Sequence, residues 1–410
     1  MGKLELDLGD GYTQELPLAR RNSVSILLGA GFSVPKGYPT GGRVNDALVN
    51  FSQFPVYFAE SGELVTAGNK EYMPPYKNEY QKTFDLCKRL IVKYAEEYGT
   101  FNYEAFYDFI KGGDIYLPRY SELWNDSKDG SNDYRQVVYG IDSIYNQMVA
   151  YLIHDKDWNT WYDESPSHIG YVEKYDSFLK VLSLWSKNLI VNVHTLNHDL
   201  LFESFRKTDY LSGLISDGFD EFGSNYYGEL HKGNARYNVR LERYKGRYNT
   251  PIRLFKLHGS LDYVLYRRTT DNAILMPDCY VKIKKYISPG YLMRAKGSKW
   301  GYEKYPFAIH ADFLTGTKSK INRYNEPLLY KKLFKKFRNN LRTADNLFII
   351  GYGGGDEKIN EYILENFDYK TKKVCIFDPK PSEILKEFAA TLHTQIIEKS
   401  VEELEIKDFG

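Results

Sequence analysis

Five short apolar runs, at 24–28, 188–193, 253–257, 346–350 and 373–377, constrain this chain more than any other feature. Each is short for a helix and nearly continuously apolar, which predicts a strand buried on both faces. Helical spacing fills much of the sequence between them. Phe84, Cys87, Leu90, Ile91 and Tyr94 recur at intervals of three and four; 41–51, 136–153, 175–185, 200–205, 328–341 and 357–365 read likewise. Strands alternating with helices predict an α/β fold, a Rossmann-like parallel sheet with flanking helices. A last short strand is expected at 394–397.

The runs end alike, in G-A-G-F-S, H-T-L-N-H-D, H-G-S, G-Y-G and D-P. In an open parallel sheet, ligands bind outside the carboxyl ends of the strands, so these five ends are expected to meet at one crevice. The first end is the richest. Gly29, Gly31 and Gly37 allow sharp turns and close approach of backbone N–H groups to a ligand, ahead of a helix. That reads as an anion site or as an ordinary tight turn. Position 34 is valine, so the stretch is not G-x-G-x-x-G, and no Lys-Ser/Thr follows the glycines as in a P-loop.

Residues 55–175 are rich in Tyr, Asp, Lys and Glu and show no clear β-run, so they are expected to form a helical insertion. The core is then 1–54 and 176–410. Residues 1–20 read as a polar arm, 207–250 as loops or short strands, and 275–325 follow no clear pattern. Charged residues at 27% and hydrophobic ones at 42% fit a soluble globular chain, and a net charge of +1 exerts no global pull on nucleic acid or anionic membrane. Direct nucleic-acid binding stays open at the basic run 331–342, which equally reads as a solvated helix face. No apolar run is long enough to cross a membrane. The three cysteines form no C-x-x-C pair, and free thiols without a signal peptide point to the cytoplasm. The 37 tyrosines suit polar cores or interfaces.

Several strand-end residues carry chemistry. Asn197 can orient a water or sugar hydroxyl; Asp199 can fix that geometry or simply cap a helix. His258, before Gly259, can accept a hydroxyl proton or be structural. His194 and His198 are spaced i, i+4 but lack the glutamate of H-E-x-x-H, so no metal site is expected. Gly351, Gly353, Gly354 and Gly355 with Asp356 form a second glycine turn, either a backbone surface for a dinucleotide or a loop capped by Asp356. Asp378 can bind ribose hydroxyls or serve the turn before Pro379.

Taken in order, G-A-G-F-S at 29–33, G-Y-P-T at 37–40, T-L-N-H-D at 195–199, L-H-G-S at 257–260 and G-Y-G-G-G-D at 351–356 resemble the sirtuin family in its broad, NAD-binding sense. The resemblance implies that Gly29, Ala30, Gly31, Phe32 and Ser33 line NAD's phosphates, with Pro39 and Thr40 nearby. It implies Asn197 and Asp199 beside the nicotinamide ribose and His258 as catalytic histidine. Gly351, Tyr352 and Gly353 would approach the other half of NAD, and Asp378 its adenosine ribose. Protein-deacylating sirtuins also carry four zinc cysteines and G-I-P-D-F-R; this chain has neither. It looks more like the zinc-free sirtuin-like effectors of bacterial anti-phage defence, which hydrolyse NAD+. Within that group it is similar to the type that works beside a HerA-type hexameric ATPase, as a homo-oligomer. The expected activity is NAD+ glycohydrolysis, with deacylation, ADP-ribosyl transfer and nonenzymatic NAD sensing as alternatives.

Overall fold

A computed structural model of the chain describes residues 18, 21–60, 62–66, 78–113, 120, 123, 140–153, 172–232, 235–269, 275–283, 287, 292–295, 302–305 and 311–410. Seven parallel strands form the central sheet: β1 Ser23–Leu28, β2 Ile190–Thr195, β3 Ile215–Ser216, β4 Ile252–Lys256, β5 Ala344–Ile350, β6 Lys373–Phe377 and β7 Ile396–Ile397. Their order is β7-β6-β5-β1-β2-β4-β3. The expected α/β, Rossmann-like architecture is thus present, and the five apolar runs are five adjacent strands. All six residues of β1 and of β2 are buried, which is why the runs read as continuous rather than alternating.

The register aligns the strand ends. Leu28 lies beside Ile350 on one side and Thr195 on the other, Thr195 beside Lys256, and Ile350 beside Phe377. The residues that follow, Gly29, Leu196, Leu257, Gly351 and Asp378, therefore leave the sheet from one row. The chain departs from β1 toward β2 and from β5 toward β6, in opposite directions, so the β1/β5 boundary is a topological switch point.

Helices cover both faces. Asp176–Asn188 packs Phe178, Leu182 and Trp185 on one side, with Phe348 and Phe409. Tyr330–Thr343 and Glu357–Asn366 cover the other through Leu333, Phe337, Ile359 and Ile363.

Within 55–175, the described residues form helices Glu79–Tyr98, Tyr103–Gly112 and Ile141–Ile153 and a small ribbon, Val56–Phe58 with Leu64–Thr66. Asn78 and Asn102 cap the first two helices with their side chains. Their shared core includes Val44 and Leu48 of helix Gly41–Val49, and Leu261 and Phe313 from beyond β4. Residues 136–139 of the helix expected over 136–153, and most of the polar arm, lie outside the described residues.

The span 207–305 contains the short strands expected within 207–250 and adds strands from 263 onward. It holds two four-stranded sheets: Tyr263–Thr269, Leu275–Lys282, Arg243–Arg247 and Gly218–Asp220 in one, and Tyr302–Tyr305, Leu292–Ala295, Tyr226–Lys232 and Ala235–Arg240 in the other. Many tyrosines serve as hydrogen-bonded core: Tyr145 donates to the Tyr103 carbonyl at 2.7 Å and Tyr175 to the Phe32 carbonyl at 2.8 Å, and both rings are fully buried. No described helix is long and apolar enough to cross a membrane.

Candidate active site

At the switch point the two glycine turns are built against each other. Gly29 donates its N–H to the Ile350 carbonyl at 3.1 Å, Gly31 to the Gly351 carbonyl at 2.9 Å, and Phe32 to the Gly29 carbonyl at 3.0 Å. A Cβ on Gly29 would lie 2.5 Å from the Gly351 oxygen, and one on Gly351, where φ is +61°, 2.3 Å from the Phe32 nitrogen. These glycines are therefore required by the neighbouring backbone, and three of the turn's N–H groups are already bonded inside the fold. Of the two readings the sequence allows, anion site or tight turn, these contacts account for the turn. Gly259 is likewise required by its neighbours: at φ +83° its Cβ position faces the Asp312 oxygen at 2.6 Å and Phe313. Gly353 differs, with open space around its Cβ position.

Asn197 binds β2 to this turn. Its amide donates to the Gly29 carbonyl at 2.9 Å and to the Ser33 hydroxyl at 3.0 Å. An amide group has two hydrogens, and both are used, so Oδ1 remains as an acceptor. Its own N–H donates to the Thr195 hydroxyl at 3.0 Å. Asp199 accepts from the Leu201 N–H at 3.0 Å, at the start of a single helical turn, Leu201–Ser204, whose N-cap is Leu200. Lys256, unremarked in the sequence, donates to the His198 carbonyl at 3.3 Å and also to that of Asp199, and pairs with Glu203 at 3.1 Å. It is almost wholly buried and holds the Asn197 loop from β4.

His258 emerges from β4 fully inside the protein. Its Nε2 stands 3.1 Å from the Tyr324 hydroxyl and 3.4 Å from Asp356 Oδ2. Burial, with Lys320 adding to it, pushes its pKa down to about 3, so the ring is neutral at neutral pH. The His198 ring lies 6.4 Å from it, centroid to centroid.

Other expected residues are placed differently. Phe32 is a core side chain against Tyr175, Phe178 and Phe205, and its backbone N–H and carbonyl are bonded to Gly29 and Tyr175. Tyr352 is buried, its hydroxyl shared among the Asp356 N–H and carbonyl and Asn360. Ser33 is buried under Asn197, Ala30 is exposed, and Pro39 and Thr40 are half-buried, Thr40 preceding helix Gly41–Val49. Asp378 accepts from the Lys380 N–H at 2.8 Å, as a turn aspartate does. It sits two strands from β1, about 10 Å at ~4.8 Å per strand. Only a ligand lying across several strands can touch both Asp378 and the Asn197 side.

His194 stacks on Phe255 and meets Asn340 at 3.1 Å, whereas His198 packs on Phe313. Among the described residues no group of His, Cys, Asp or Glu is arranged to hold a metal. Cys87, Cys279 and Cys375 lie on three separate elements.

No family model matches the chain, and none of the curated proteins does. Solved structures do match. A Sir2 enzyme aligns over 94% of this chain and 90% of its own at 11% identity, with a TM-score of 0.37. A Sir2 homologue solved with NAD covers 95% and 89% at 12% identity, TM-score 0.38. A substituted Sir2 homologue solved with 2′-O-acetyl ADP-ribose covers 95% and 92% at 12% identity, TM-score 0.32. The fold class rests on the strand order itself.

Proposed function

We propose that this chain is an NAD+ hydrolase, releasing nicotinamide and ADP-ribose. The observation that carries the reading is the Asn197 side chain. It is locked to the Gly29 turn and leaves one acceptor atom free, and a buried neutral His258 ends the adjacent strand.

The ribose–nicotinamide C–N bond breaks, its electron pair leaves with the nicotinamide nitrogen, and the cation becomes neutral. The leaving group needs no acid; the sugar, gaining oxocarbenium character, needs placement and polar walls. Asn197 Oδ1 accepts from the attacking water and aims it. His258 accepts a hydrogen bond from a ribose hydroxyl. Water adds to the anomeric carbon, and the surplus proton passes to solvent.

The wider role we propose follows the motif resemblance: an effector of anti-phage defence acting by NAD+ depletion, homo-oligomeric, with a HerA-type hexameric ATPase as partner. The test is time-resolved NMR of NAD+ incubated with the chain, with and without that ATPase. Free ADP-ribose without an added acceptor supports hydrolysis. Product appearing only with an acylated peptide or a protein acceptor would replace it with deacylation or ADP-ribosyl transfer. A ligand-induced melting shift without turnover under any of these conditions would leave a sensor.

A further inference from the structure

Asp356 does more than end a glycine turn. Its Oδ1 accepts from the Ile359 N–H at 3.2 Å, which accounts for helix capping. Its Oδ2 is surrounded separately, by His258 Nε2 at 3.4 Å, Lys320 Nζ at 3.0 Å and the Tyr324 hydroxyl at 3.5 Å. Lys320 Nζ also meets Glu104 at 3.1 Å, and Glu104 belongs to helix Tyr103–Gly112 of the insertion. The side chains of Asp356 and Lys320 are each 8% exposed.

We propose that Asp356 is a positioning residue that fixes His258 in the tautomer protonated on Nε2, and that Glu104, through Lys320, makes this positioning depend on the insertion. The proposal rests on His258 being the group that receives the ribose hydroxyl. Burial raises the Asp356 carboxyl, but facing charges, with hydrogen bonds from Lys320 and the Ile359 N–H, hold it below its ordinary value. An ionised carboxylate only accepts. If Nε2 carries the proton, it donates toward Asp356 and the Tyr324 oxygen, and Tyr324 donates to Asp356. In the other tautomer Tyr324 can donate to Nε2 at 3.1 Å, but the Nε2 lone pair faces that of Asp356 Oδ2 at 3.4 Å. With the proton on Nε2, Nδ1 is the acceptor left for substrate.

The charges agree. One cation, Lys320, stands between two carboxylates, so Asp356 is not fully neutralised and remains a strong acceptor for a proton on His258 Nε2. The other titratable groups near His258 are Tyr324 and His198, and burial holds His198 neutral.

The experiment uses the full chain labelled with ring-15N histidine, His258 being assigned from H258Q. Wild type should show the Nε2-protonated form. D356N keeps a capping side chain, so a merely structural role predicts an unchanged ring. We expect instead a drop of about tenfold in the tautomer ratio, and a smaller shift of the same sign in E104Q. In parallel, D356N should lower kcat for nicotinamide release by about 10²-fold with KM nearly constant. An unchanged ring in D356N overturns the proposal, and a response in D356N without one in E104Q overturns the role of the insertion. If the ring responds but wild type releases no nicotinamide, NAD+ hydrolysis has failed and the positioning stands.

Discussion

Gly31 donates its N–H to the Gly351 carbonyl at 2.9 Å, and a Cβ on Gly31 would sit 2.8 Å from the Gly351 Cα. The turns after β1 and β5 thus form one packed unit. Gly31→Ala and Gly351→Ala should each destabilise the fold by about 1–3 kcal/mol, the cost of overpacking. Gly353→Ala, with open space around it, should stay within about 0.5 kcal/mol. Urea denaturation of the three variants separates a glycine required by backbone contact from one that is not.

Asn197→Asp is a sharper probe than alanine. The carboxylate turns an acceptor toward the Gly29 oxygen, so stability should fall by about 1–3 kcal/mol through the unsatisfied contact. Nicotinamide release should fall by about 10²-fold or more, as for Asn197→Ala and His258→Ala. Wild-type rates in these variants would remove Asn197 and His258 from the mechanism.

Three histidines should make the fold acid-sensitive. Burial lowers His194 and His258 to about 3 and holds His198 well below its ordinary value. From about pH 6.5 downward the unfolded chain binds protons that the folded chain refuses, so stability falls as pH falls, by at most ~1.4 kcal/mol per pH unit for each group. Burial raises Glu104 and Glu203, which act in the opposite sense above their ordinary value of 4.5. The expected outcome is lower stability at pH 5.5 than at pH 7.5, read from denaturation midpoints. The rate of nicotinamide release should show no step from His258 near pH 6.5.

The sheet was legible because burial on both faces removes polar residues from β1, β2, β4, β5 and β6, leaving runs that resemble nothing else. The two antiparallel sheets were not. Ala235–Arg240, for example, is largely exposed and holds Arg, Tyr, Asn and Arg, so no period-two apolar face marks it. At the site, Asn197 and His258 were legible as polar residues closing apolar runs. Lys320, Tyr324 and Glu104 were not, because their relation to His258 exists only through tertiary contact. Asp356 was half read: helix capping leaves a local signature, whereas its second oxygen faces residues far away in sequence.

Asp108, beside Glu104 on helix Tyr103–Gly112, accepts from the Thr317 N–H at 2.9 Å and hydroxyl at 2.5 Å, the Lys318 N–H at 2.8 Å and the Ser319 N–H at 2.9 Å. Burial opposes its charge, but hydrogen bonds from Ser319, Thr317 and Lys318 outweigh it and hold the carboxyl at about 2. Asp108→Ala should cost about 1 kcal/mol, measurable as a lower melting temperature, and should also reduce nicotinamide release.

Helix Lys318–Arg323, which carries Lys320, thus receives its cap from another segment of the chain. A screen for loss of function would recover substitutions in 103–112 beside those in the strand-end loops. Their map along the sequence would look like two unrelated sites. Cutting out 55–175 to obtain a minimal core would remove Asp108 and Glu104 together, so the smallest working unit of this protein is expected to include the helix that its sequence presents as an addition.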